Sequence, residues 1–205
     1  VRISVPEFMG IEVMPALLAR LREEHPAIRI ELSLSNLPAD LLAQEVDVAV
    51  RTVAPKQEAL VARKVATIPL GLFAAHAYIE RRGRLASLDD IPAHDFIGPD
   101  RNRSDLAFVA RLGPDLSRDR LVLRTDSHPA QLAAARAGLG IAVSQVPVGE
   151  RDPGLVRLLP DLEVALLDTW IVTHENLARV PRVRAVFDSL VASFTAALAD
   201  RTNAP

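Results

Sequence analysis

Hydrophobic and polar positions change their period several times along this chain, and each change marks an element. Val1 to Pro6, carrying Ile3 and Val5, opens the chain as a strand. Met14, Leu17, Leu18 and Leu21 then recur with the spacing of one helical face. Pro15 is tolerated only in such a helix's first turn, so the pattern predicts a helix from near Ile11 to just before Pro26. Ile28, Ile30, Leu32 and Leu34 alternate with Arg29, Glu31, Ser33 and Ser35, the period of a strand with one buried and one polar face. Asn36 is suited to cap a short helix, Leu37 to Gln44, with Pro38 in its first turn, and Val46 to Arg51 reads as a third strand. A βαβ unit of this kind opens a parallel sheet whose strand ends form a ligand crevice.

Beyond the loop Thr52 to Glu58, Leu60 to Ala75 is one long extended stretch, and His76 to Arg82 is helical with Gly83 as its stop. Ser87 to Ile91 reads as a turn. Pro92 to Ser117 is rich in Pro, Gly, Asp and Arg without periodicity and is expected to be mostly loop. Leu121 to Arg124 is a strand, Pro129 to Ala137 an Ala-rich helix ended by Gly138, and Ile141 to Val143 the strand after it. Leu155 to Leu158 and Val164 to Thr173 are extended, and a last helix places Val183, Val186, Phe187, Leu190, Phe194, Ala197 and Leu198 on one face, with the last five residues frayed.

That final apolar face needs the first half of the chain to cover it. The chain is therefore expected to cross twice between two lobes, near Gly71 to Ala75 and near Leu166 to Trp170. This gives subdomain I as 1–72 plus 171–205 and subdomain II as 73–170, a two-lobed clamp with a double hinge.

Composition narrows the function. A net charge of −2 provides no overall footprint for nucleic acid, so any DNA contact is expected from another segment. The chain starts at Val1 inside a strand and without an initiator Met, so an upstream segment is expected. Charge interrupts every long apolar run, as Asp168 does, leaving no membrane span. The absence of cysteine removes disulfides and thiolate metal ligands without fixing the compartment.

The candidate chemistry is that of binding. Arg51 ends an apolar strand and is delivered to the sheet's carboxyl edge, where it could hold a carboxylate through two parallel hydrogen bonds or pair with a local acid as a structural ion pair. Ser35 and Asn36 stand where the second strand hands over to a helix, as ligand contacts or plain caps. Glu7 and Phe8 occupy the turn after the first strand, Phe8 as a pocket wall or a core plug. Asp126, Ser127 and His128 open the Ala-rich helix, an anion site expected to face Arg51 across the cleft. Being adjacent on one turn, they cannot align as a catalytic triad. Arg101 or Arg103 could reach an acidic ligand, against the default of a solvated mixed-charge surface. Gly138-Leu139-Gly140 lacks the third glycine of a dinucleotide loop and reads as a helix stop, and the five histidines show no metal-ligand spacing. No catalytic residue, metal or cofactor is expected.

Arg2-Ile3-Ser4-Val5-Pro6, Met14-Pro15, His25-Pro26-Ala27-Ile28, Asp40-Leu41-Leu42, Asp47-Val48-Ala49-Val50-Arg51, Ala74-Ala75-His76-Ala77-Tyr78, Ala137-Gly138-Leu139-Gly140-Ile141-Ala142, Asp152-Pro153-Gly154-Leu155 and Pro181-Arg182-Val183 occur in an order and spacing that resembles the effector-binding domain of a LysR-type transcriptional regulator. The resemblance covers essentially the whole chain. It implies an α/β, type-2 periplasmic-binding-protein-like fold, with two Rossmann-like subdomains joined by two crossover strands and a small-molecule effector in the interlobe cleft, which Arg51 and the Ser35 and Ser127 turns suggest is anionic. It further implies a homodimer or homotetramer, formed through the first helix and the neighbouring strand, working in the cytoplasm without a membrane partner. Promoter DNA would be met only by a missing N-terminal winged helix-turn-helix. Carried over by position, the effector contacts are Glu7, Phe8, Ser35, Asn36, Arg51, Ser127 and His128. Where the family usually places Leu-Pro after the Gly-rich strand, this chain has Ser144 and Gln145, which points to a more polar cleft floor. The alternatives are a secreted solute-binding protein of an uptake system, recognisable by a signal peptide upstream of Val1, and an enzyme on the same fold.

Overall fold

The computed structural model describes residues 1–36, 45–55, 57–113 and 116–202, with side chains to residue 196. The chain forms two compact units, Val1–Thr67 with Leu167–Pro205, and Ile68–Leu166. The expected helix Leu37 to Gln44 lies outside the described residues, as do residues 203–205 of the expected frayed end.

The first unit opens with β1 (Arg2–Val5), followed by α1 (Glu7–Glu12) and α2 (Met14–Glu24). The predicted single helix from Ile11 is therefore two helices, and the first starts four residues earlier. Pro15 explains the break at Val13, because proline lacks the N–H that would reach Ile11 and its ring crowds that carbonyl. Glu7 and Phe8 are thus the first residues of α1 and not a turn. Glu7 brings a carboxylate to the positive end of the helix.

β2 (Glu31–Leu34) and β3 (Val48–Arg51) both run parallel to β1, with Ile3 opposite Leu32 on one side and Val48 on the other. The alternation in β2 predicted a buried apolar face. Instead Leu32 is 38% and Leu34 44% exposed, because β2 is the outermost strand of the sheet and its apolar side chains stand at the rim. β4 (Leu60–Ala75) is a single strand over the predicted stretch, and the boundary between the units falls within it, after Thr67.

In the second unit, α3 (His76–Arg82) ends at Gly83, whose φ of 82° only glycine adopts readily. The stretch expected to be loop contains β5 (Phe96–Gly98) and α4 (Arg103–Val109), the latter capped by the Asn102 side chain. β5 was too short to show a period, and it is held by parallel pairing to β6 (Leu121–Arg124), a contact distant in sequence. α5 (His128–Arg136) is followed by β7 (Ala142–Gln145), α6 (Val146–Glu150) and β8 (Leu155–Leu158). β7 and β8 both pair antiparallel to the second half of β4. Leu72, Tyr78, Phe96, Leu121, Ile141 and Leu158 belong to this unit's core. Gly138, at φ 77°, stops α5 as expected. Gly140 does something else: a Cβ there would stand 2.5 Å from the carbonyl oxygen of Asp95, so the residue is glycine to let two chain segments touch.

β9 (Ala165–His174) returns the chain to the first unit and pairs antiparallel with β3, placing Trp170 opposite Arg51. α7 (Pro181–Thr202) follows, with Val183, Val186, Phe187, Leu190 and Phe194 buried as its spacing predicted. Ala197 and Leu198 lie beyond the described side chains.

Candidate functional site

Because β1, β2 and β3 are parallel, their carboxyl ends lie on one edge of the first unit's sheet. Glu7, Ser35, Asn36 and Arg51 all follow or end these strands, so the structure gathers them at that edge. Asn36 accepts the Glu7 backbone N–H through Oδ1 at 3.0 Å, and the Ser35 N–H donates to the Val5 carbonyl at 2.9 Å. These bonds tie the two turns together and leave Asn36 exposed. Phe8 is 7% exposed and sits in the core.

Arg51 is half-buried. Its Nη1 donates to the Val50 carbonyl at 2.7 Å and the Ser4 carbonyl at 3.2 Å, and its Nη2 to Ser4 Oγ at 2.8 Å. Every one of these acceptors is neutral. Among the described residues no carboxylate pairs with it, so the structural ion pair weighed from sequence is absent there. Burial without a counter-ion pulls the guanidinium below the ordinary arginine range, while leaving it cationic at any working pH. Ser4, 1% exposed, was missed by sequence reasoning. A lone hydroxyl between Ile3 and Val5 in a buried strand was the available signal, and only the β1–β3 register reveals what it serves.

In the second unit, Asp126 precedes α5 and accepts the backbone N–H groups of Asp100, Arg101 and Asn102 at 2.9–3.0 Å. The amides of Asn102 and Arg101 hold its carboxyl below the usual range. Asp126 therefore staples the loop before α4. Ser127 is the residue before the helix, its N–H donating to Thr125 Oγ1 at 3.2 Å. His128 Nε2 lies 3.0 Å from Asp105 Oδ2, a partner on α4 that sequence did not suggest, and Gln131, 4% exposed, donates to the Thr125 carbonyl at 2.6 Å. Arg101 is paired with Asp100 at 3.3 Å and is 87% exposed, as expected of a solvated surface. Ser144 and Gln145 are 3% and 5% exposed, and the buried Ser144 Oγ has no hydrogen-bond partner among the described residues. Among the described residues no cluster of His, Asp and Glu is placed to hold a metal, and no helix is long and apolar enough to cross a membrane.

A family model, the LysR substrate binding domain, matches residues 1–195. The chain belongs to this family. Among solved structures, the LysR domain is similar to the CrgA regulatory domain of Neisseria meningitidis, with TM-score 0.82, 21% identity, and coverage of 95% of this chain and 98% of that one. The effector domain of AmpR from Pseudomonas aeruginosa gives TM-score 0.76 at 18% identity over 100% and 99% of the two chains. These likenesses establish the mixed α/β, type-2 periplasmic-binding-protein-like fold. An HTH-type transcriptional regulator of Xanthomonas campestris is 33% identical over 103 residues, 50% of this chain and 30% of that protein. An uncharacterised HTH-type regulator of Haemophilus influenzae is 27% identical over 87% of this chain and 64% of its own length. The LysR domain thus spans less than two thirds of these relatives.

Proposed function

We propose that the chain is the effector-sensing domain of a bacterial LysR-type transcription regulator working in the cytoplasm. A small anionic effector is recognised at the carboxyl edge of the first unit's sheet, with Arg51 as its charge contact and Glu7, Phe8, Ser35 and Asn36 around it. In the second unit the candidate contact is the turn at Ser127 and His128. The observation that carries this reading is Arg51, a half-buried cation with neutral partners and no counter-ion among the described residues. Binding energy would shift the regulator between states through the effector's different affinity for each. Promoter DNA would be met by a winged helix-turn-helix elsewhere in the longer protein. The relatives' HTH-type names and greater length support this, as does a net charge of −2 here. Those names favour sensing over solute uptake and over catalysis.

The same reading includes a homodimer or homotetramer built on α2 and β2. It is supported by the partly exposed Leu32 and Leu34 on an outermost strand, and by a groove of about 510 Å³ whose lining includes Pro15, Leu18, Leu21, His25, Ile28 and Ile30. Leu32→Glu is expected to shift sedimentation towards monomer; unchanged mass would place the interface elsewhere.

The test of function is thermal stabilisation of the full-length regulator by a library of small organic acids, followed by promoter-binding assays with each hit. A hit that alters DNA binding supports the reading; hits without any effect on DNA binding would reject it.

A further inference from the structure

The way Arg51 is held specifies what it can take. A guanidinium has five N–H donors in a rigid plane. Both Nη1 donors have acceptors, the carbonyls of Val50 and Ser4, and Nη2 donates once, to Ser4 Oγ. Two bonds from neighbouring nitrogens to one residue mean that the Nη1/Nη2 edge faces Ser4. The donors left over are Nε–H and the second Nη2–H, which lie side by side on the adjacent edge. Among the described residues, the buried side-chain nitrogens and oxygens without a partner are Ser144 Oγ, Arg157 Nε and Thr169 Oγ1. Arg51 is itself only half-buried, and its Nε has no acceptor among the described residues. Two parallel, coplanar donors on the remaining edge match the two oxygens of a carboxylate.

We infer that Ser4 is a positioning residue that locks Arg51 by its end-on edge, so that the Nε/Nη2 edge receives a planar carboxylate in a bidentate contact. This rests on the effector-binding reading and gives the effector's chemical class: a carboxylic acid. Ser4 can act this way because it is 1% exposed, its carbonyl is fixed by the β1 pairing on both sides, and its buried hydroxyl is held against Arg51 Nη2. A lysine at 51 would supply the charge without the fork.

The test is an NMR titration of the chain with sodium acetate against sodium chloride at a constant ionic strength of about 0.1 M, following the Arg51 Nε–H resonance. Trp170, the chain's single tryptophan and the cross-strand neighbour of Arg51, provides a second readout by fluorescence. Acetate is expected to shift the Nε–H signal saturably and chloride not to. Ser4→Ala should weaken acetate about tenfold while the amide spectrum away from β1 and β3 stays that of the folded chain, Ser4→Thr should restore binding, and Arg51→Lys should abolish it. An Nε–H signal indifferent to acetate, or acetate binding equally well to Ser4→Ala, overturns the inference. If acetate fails while library acids stabilise the regulator and alter its DNA binding, the fork is wrong and the effector reading survives. If acetate binds at Arg51 and no acid affects DNA binding, the reverse holds.

Discussion

Arg51 in the first unit and Arg157 in the second are both partly buried arginines on strands, and their settings are opposite. Arg157 reaches Glu150 at 2.9 Å and the Pro160 carbonyl at 3.0 Å, and its buried Nε, close over Gly71, has no partner among the described residues. It carries its counter-ion with it. Arg51 has three neutral acceptors and, among the described residues, no carboxylate and no acceptor for its Nε. A partly buried charge needs compensation. Where the chain supplies it, the arginine is part of the scaffold; where the chain omits it, a ligand can supply it.

The strongest way to break this contrast is Arg51→Met, which keeps the aliphatic stem and removes the charge. Carboxylate affinity should fall by about 100-fold or more, as expected for a lost bidentate charge contact. Folding stability should fall by about 1 kcal/mol in urea unfolding, since hydrogen bonds to neutral acceptors are lost but no ion pair is broken. Arg157→Ala should show the reverse, leaving ligand affinity within about twofold and costing about 2 kcal/mol through lost hydrogen bonds and lost packing over Gly71. If both substitutions behave alike, the distinction between them is empty. Glu150→Gln sharpens it further: stripping Arg157 of its counter-ion should cost about 1 kcal/mol at low salt, and less as salt is added.

The smallest effect is a response of the second unit to pH. Asp126 is held low by the amides of Asn102 and Arg101, and Asp152 by Arg136. A carboxyl depressed in the folded state adds stability that is present above its unfolded titration and lost as pH falls through its folded value. Strong acid, below the ordinary carboxylate range, should therefore loosen the loop before α4, seen as faster amide exchange at Asp100 to Asn102. Asp126→Asn should loosen the same amides at neutral pH and flatten their acid dependence.

Much of this contrast could be read in advance. Arg51 was legible because three apolar residues precede it in a strand, which fixes where its side chain must emerge. The strand Leu60 to Ala75 and the helix stops at Gly83 and Gly138 were legible for the same reason, since period and backbone freedom are local properties. β5 was not legible, because three residues carry no period and its partner β6 lies more than twenty residues away. The exposure of Leu32 and Leu34 was hidden too: alternation tells which residues share a face, and only the strand's place in the sheet tells whether anything covers that face. Ser4 and Asp105 escaped because each matters only through a residue far along the chain.

The rim strand β2 has a practical consequence. One side of it presents backbone donors and acceptors with Leu32 and Leu34 beside them, the template on which stray extended segments of other proteins accumulate. Purified at high concentration, the chain should stay clear only while that margin is occupied, and substitutions that strip it bare should first show themselves as turbidity.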